Sequence, residues 1–90
     1  MNKAVQIVLK GKLYRSGFRF YILQKAVELK IMGFVKYQDN KDIVVHAEGA
    51  QHQLKEFTEW CTKGTLSCKV ASSEINEALV QNYTSFDIQK

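Results

Sequence analysis

An α+β sandwich, an antiparallel sheet covered on one face by two helices, is the fold class that this 90-residue sequence predicts. Three observations point to it. Apolar residues alternate with polar ones near both ends of the chain and in its middle, the period-two signature of half-buried strands. Two stretches between them, beginning at Phe18 and Gln51, repeat apolar residues at helical spacing. Glycines and short polar runs separate these pieces, and no proline, low-complexity tract or internal repeat marks a second unit. Residues 1–90 are therefore expected to form a single domain around one core.

The first strand covers residues 3–10, with Val5, Ile7 and Leu9 on one face and Gln6 and Lys10 on the other. Residues 11–17, Gly-Lys-Leu-Tyr-Arg-Ser-Gly, carry two glycines and a serine, the composition of a loop with unusual backbone angles. The spacing of Phe18, Ile22, Ala26 and Leu29 predicts a helix from Phe18 to about Lys30, with Ser16 as its N-cap and Gly33 ending it. Phe34, Val35 and Tyr37 lead into a second strand. The polar run Gln38-Asp39-Asn40-Lys41 then signals a hairpin, and a third strand returns over residues 42–48. Leu54, Phe57 and Cys61 share one face of a second helix over residues 51–63, with Trp60 beside that face. Residues 70–78 alternate more loosely, and Phe86 and Ile88 mark a short last strand over residues 84–88. Two β-α-β halves in this order make a ferredoxin-like sandwich, with a short extra C-terminal strand. That architecture serves many functions, so it does not decide the chemistry.

Composition narrows the class. Apolar residues at 46% and charged residues at 24% belong to a folded globular chain rather than a disordered one. The N-terminus runs straight into strand-like sequence, and no apolar stretch approaches membrane-spanning length, so a cytoplasmic protein without a membrane partner is expected. Cys61 and Cys68 are too few for a disulfide framework and read as reduced thiols. Neither they nor His46 and His52 stand at the spacing of a metal site, so no metal is expected. Charge is unevenly distributed. Residues 1–41 hold nine lysines and arginines against Glu28 and Asp39, a formal +7, while residues 42–90 hold four lysines against seven carboxylates, a formal −3. An anionic partner would be drawn to the first half.

The segment most suggestive of chemistry runs from Gly11 to Arg19. A glycine-bearing loop entering a helix exposes unpaired backbone N–H groups, and the helix dipole adds about half a positive charge there. Such a loop favours a phosphate-like anion. Arg19, on the first helical turn, can fold its planar fork of donors over the loop in a way that lysine cannot match. Tyr14, Arg15, Ser16, Gly17, Phe18 and Arg19 are the candidate binding residues.

The run Gly11-Lys12-Leu13-Tyr14-Arg15-Ser16-Gly17-Phe18-Arg19 resembles the acylphosphatase signature, which reads Gly, any residue, Val, Gln, Gly, Val, a variable residue, Phe, Arg. Gly33-Phe34-Val35-Lys36-Tyr37 is similar to the family's second signature, Gly, aromatic, small apolar, basic, Asn. Ala47-Glu48-Gly49, Phe57-Thr58-Glu59-Trp60-Cys61 and Thr84-Ser85-Phe86-Asp87-Ile88 also occupy family-like places, so the likeness spans nearly the whole chain. The resemblance implies hydrolysis of acyl phosphates to carboxylate and phosphate, with no cofactor. It implies that Arg19 and the loop amides bind the phosphoryl group, and that an asparagine at the position of Tyr37 holds the attacking water.

Besides Leu13 and Ser16 at the two Val positions, three departures from the pattern bear on the chemistry. Tyr37 replaces the water-holding asparagine, and a phenol carries its hydroxyl much farther from the backbone than a carboxamide does. Turnover is therefore expected to be weak or lost, and the chain is an acylphosphatase-type hydrolase only if catalysis survives. Gln38 and Asn40 are nearby amides that could substitute, although both suit a turn. Tyr14 and Arg15 replace the loop's Gln and Gly. A left-handed backbone at Arg15 would cost about 1 kcal/mol, while its charge would strengthen anion binding. The expected partner is a small phosphorylated or anionic ligand, and the chain is expected to be a monomer. The alternative is a catalytically inactive phosphate-binding, anion-binding or RNA-binding module on the same fold. Lys30 to Tyr37 partly matches a ribonucleoprotein octamer, but on the second strand rather than the third, which disfavours nucleic acid.

Overall fold

The computed structural model describes residues 2–89. Its elements are β1 (Asn2–Lys10), α1 (Phe18–Glu28), β2 (Met32–Tyr37), β3 (Ile43–Ala50), α2 (Gln51–Lys63), β4 (Ser72–Ala78) and β5 (Phe86–Ile88). The sheet order is β4-β1-β3-β2-β5. Every pairing among β1 to β4 is antiparallel, and β5 adds a parallel pair at the β2 edge. This is the ferredoxin-like sandwich, with the short extra strand extending its β2 side.

Alternation in β1 places Ile7 and Leu9 in the core, where they meet Ile43 and Val45 of β3 and Val35 of β2. The helices cover them with Phe18, Ile22 and Ala26 from α1 and Leu54, Phe57 and Cys61 from α2. Trp60 packs at the margin, 5.6 Å from Phe18. Cys61 and Cys68 are buried free thiols, and burial pushes the Cys61 thiol well above its ordinary range.

The predicted α2 matches the observed helix, but α1 is shorter than its periodicity suggested. It stops at Glu28 because Lys30 takes a left-handed conformation (φ 59°), and the N–H of Ile31 closes the turn on the Ala26 carbonyl. Gly33 is not the helix stop. It lies inside β2 at φ 134°, where a Cβ would come within 1.8 Å of the His46 carbonyl oxygen. The first residues expected in β4 and β5 fall outside those strands, which begin at Ser72 and Phe86.

Candidate active site

The 11–17 loop is pinned by Leu13, whose side chain is fully buried between exposed Lys12 and Tyr14. The Leu13 carbonyl accepts the Ser16 N–H at 3.1 Å and the Ser16 hydroxyl at 2.6 Å, closing a tight turn. Arg15 lies on that turn at φ 61°, so this chain keeps a left-handed residue there despite the side chain. Gly17 follows at φ 85° and caps α1. Ser16 is not the cap residue. Its hydroxyl nevertheless accepts the Phe18 N–H at 3.2 Å, as a capping serine would one position later. The Phe18 side chain belongs to the core. The loop's hydrogen bonds among the described residues thus leave the N–H groups of Gly17 and Arg19 without a protein partner, as expected where a helix begins.

Tyr37 reaches this loop from the end of β2. It lies two residues beyond core-facing Val35 and so points to the helix side of the sheet. Its hydroxyl accepts the Arg15 N–H at 2.9 Å and lies 3.5 Å from the Leu13 carbonyl. The Arg19 guanidinium sits over the Tyr37 ring, 4.2 Å from its centre, and the Tyr14 ring packs against the same ring at 4.9 Å. Arg15 and Lys41 approach the Tyr14 ring at 5.6 and 4.6 Å. The three cations are held on aromatic faces. The ion pairs among the described residues lie elsewhere, at Lys10–Glu74, Lys25–Glu28 and His46–Glu48. Of the expected site residues, Tyr14, Arg15 and Arg19 thus meet Tyr37, Ser16 and Gly17 shape the turn, and Phe18 is turned into the core; the sequence offered no sign that Lys41 would join them.

The two nearby amides belong to the hairpin that joins β2 to β3. Asn40 is committed to the hairpin: its side chain donates to the Asp42 carboxylate and accepts the Asp42 N–H, both at 3.0 Å. The Gln38 N–H donates to the Asp42 carbonyl, and Gln38 lines a shallow groove with Gln6, Lys36, Tyr37, Asn40 and Val44.

Comparison with known proteins decides the family, for the acylphosphatase family model matches residues 5–88. The chain belongs to the acylphosphatase family. A relative from Pseudothermotoga lettingae, named acylphosphatase, is 31% identical over 86 residues, covering 96% of this chain and 97% of the relative. The structure of an acylphosphatase from Coxiella burnetii superposes with a TM-score of 0.91 at 26% identity, covering 98% of this chain and 93% of that one. That of the Bacillus subtilis acylphosphatase gives 0.89 at 27% identity, with both chains fully covered.

Sequence reasoning missed a polar cluster on the other face of the sheet. His46 was expected to have no carboxylate partner at metal spacing, but positions i and i+2 of a strand share a face, and its Nε2 lies 2.8 Å from Glu48 Oε2. Glu48, 1% exposed, also accepts the N–H groups of Gln81 and Tyr83, the latter at 3.1 Å. Burial raises the Glu48 pKa, but the bonds from Gln81, His46 and Tyr83 outweigh it and hold the carboxyl below its ordinary range. The pair anchors the segment that crosses from β4 to β5. No group of three or more ligating side chains among the described residues is arranged for a metal, and none of their helices is long and apolar enough to cross a membrane.

Proposed function

We propose that this chain binds the phosphoryl group of acyl phosphates in the 11–19 loop and hydrolyses the carboxyl–phosphate bond slowly, with Tyr37 the cause of the slowness. Family membership supports the reaction class. The observation that carries the qualification is the hydrogen bond from the Arg15 N–H to the Tyr37 hydroxyl. A phenol at that position takes up a loop donor and offers no carboxamide to orient water. An acyl phosphate is already activated by its carboxylate leaving group, so positioning and charge stabilisation suffice for turnover, and here the first is impaired. Gly17 and Arg19 N–H groups, with the Arg19 and Arg15 guanidiniums, would hold the phosphoryl oxygens. Tyr14 would form the rim. The reading requires no metal or organic cofactor, and it places a single monomeric domain in the cytoplasm, where two buried thiols suit a reducing milieu.

The RNA-binding alternative gains nothing from the sheet face. Phe34 is stacked on His46 at 5.6 Å, meets Tyr83 at 5.8 Å and lies beneath Lys36, so it is not presented as an open platform for a base.

The test is benzoyl phosphate hydrolysis by the parent, Arg19→Ala and Tyr37→Asn. Loss of one positioned donor costs ~3 kcal/mol, so Tyr37→Asn should gain roughly a hundredfold while Arg19→Ala falls to background. An unchanged rate in Tyr37→Asn, or full activity in Arg19→Ala, would overturn the reading.

A further inference from the structure

We propose that Tyr37 is itself a phosphoryl acceptor: an acyl phosphate seated in the loop transfers its phosphoryl group to the Tyr37 hydroxyl, leaving a phosphotyrosine held by the same loop. The proposal rests on the reading that this loop binds acyl phosphates, and it adds a covalent fate for the group bound there.

Position is the first argument. The Tyr37 oxygen is held 2.9 Å from the Arg15 nitrogen, while the N–H groups of Gly17 and Arg19, two and four residues further on, have no protein partner among the described residues. Backbone turns with left-handed residues, here Arg15 and Gly17, gather successive N–H groups into an anion-binding concavity. A phosphoryl group on the two unpartnered donors would lie next to the phenol oxygen, and reacting atoms need an approach of about 3–3.5 Å.

Orientation is the second. The Tyr37 ring packs against Tyr14 and beneath Arg19, which limits the swing of its hydroxyl away from the loop. The bond from Arg15 engages one lone pair of that oxygen and leaves another for attack.

Charge is the third. Arg15, Arg19 and Lys41 gather at the site with no carboxylate neutralising them among the described residues. Phosphoryl transfer is promoted chiefly by positioning and charge stabilisation, and these cations can serve both the transferring group and the dianionic product.

The step balances without a redox partner. A bond forms between the Tyr37 oxygen and phosphorus, the bond from phosphorus to the acyl oxygen breaks, and its electron pair leaves with the carboxylate. The phenolic proton passes to water. Because an aryl phosphate ester is far less activated than an acyl phosphate, the adduct persists and transfer to Tyr37 ends at one equivalent.

The experiment incubates the full chain with acetyl phosphate, locates any acid-stable phosphate by intact and fragment mass spectrometry, and measures acetate released. Tyr37→Phe and Arg19→Ala are treated alike. In parallel, inorganic phosphate is titrated while the amide resonances of Arg15, Gly17 and Arg19 are followed, which tests loop binding by itself. The expected result is one equivalent of phosphate on Tyr37 with a matching burst of one equivalent of acetate above the slow hydrolytic release, no adduct and no burst in Tyr37→Phe, and adduct formation at least about tenfold slower in Arg19→Ala. If phosphate moves the loop amides but Tyr37 stays unmodified, the proposal is overturned while the binding reading stands. If the amides do not move and no adduct forms, both fall. An adduct of equal yield in Tyr37→Phe overturns the proposal by placing the chemistry on another residue.

Discussion

Replacing Tyr37 by phenylalanine removes one oxygen and keeps the ring against which Arg19 and Tyr14 pack. In the parent, an anion entering the loop finds the Arg15 N–H engaged by that oxygen at 2.9 Å. It must forgo the donor or displace a neutral hydrogen bond worth about 1 kcal/mol net. Tyr37→Phe removes this competition, so inorganic phosphate should bind about fivefold more tightly, the equivalent of ~1 kcal/mol. The Arg15 backbone is exposed, and water can take over its N–H, so unfolding stability should change by less than about 1 kcal/mol. Isothermal titration of phosphate at fixed, low ionic strength reads the first quantity and urea unfolding the second; salt must be held constant because surface charges are screened over about 10 Å at 0.1 M. Equal or weaker phosphate binding in Tyr37→Phe would refute the competition, because the hydroxyl would then be helping to hold the anion.

Three further outcomes are expected. Arg19→Lys keeps the charge but loses the planar fork and the close stacking on Tyr37, so phosphate affinity in the same titration should fall roughly tenfold. Gly33→Ala drives a Cβ into the His46 carbonyl at a backbone angle that side chains rarely adopt, so urea unfolding should show a loss of about 3 kcal/mol or more. Glu48 has a folded pKa below its unfolded value, so its contribution to stability is fully present above the ordinary glutamate range and is lost as pH falls through the lower, folded value. Urea midpoints measured from neutral pH downward should therefore decline more steeply in the parent than in Glu48→Gln, which should already be less stable at neutral pH.

What was legible in the sequence was whatever depends on periodicity. The strand β1 and the helix α2 each repeat their apolar residues with one clear period, and each was found where that period placed it. The end of α1 was obscure because its stop is a left-handed lysine, a residue with no special preference for that conformation, whereas the conspicuous Gly33 serves close strand approach. The loop from Gly11 to Gly17 was legible as a turn entering a helix because glycine and serine cluster there, and left-handed Arg15 and Gly17 do lead into α1. The length of the Tyr37 phenol was also readable, but its destination was not, since that depends on how far β2 ends from the loop. The His46–Glu48 pair carried a visible signal, two polar residues sharing one strand face. Its other partners are backbone N–H groups of an irregular segment, which no periodicity reveals.

The departures from the family signature at Tyr14, Arg15 and Tyr37 are better understood together than singly. A left-handed Arg15 costs the loop roughly 1–2 kcal/mol relative to glycine, yet the loop keeps that conformation. The same residue's N–H is then held by Tyr37, and the Tyr37 ring is packed by Tyr14, so each substituted residue contacts or stacks near another. A neutral hydrogen bond and an aromatic pair are each worth on the order of 1 kcal/mol, which is comparable to the backbone cost. A change at one position would therefore leave the others with unmatched surfaces, so the three residues act structurally as one packed cluster. On the proposed reading, the unpartnered N–H groups and the cations would still attract a phosphoryl group, and what would meet that group on arrival is an oriented phenol rather than an oriented water.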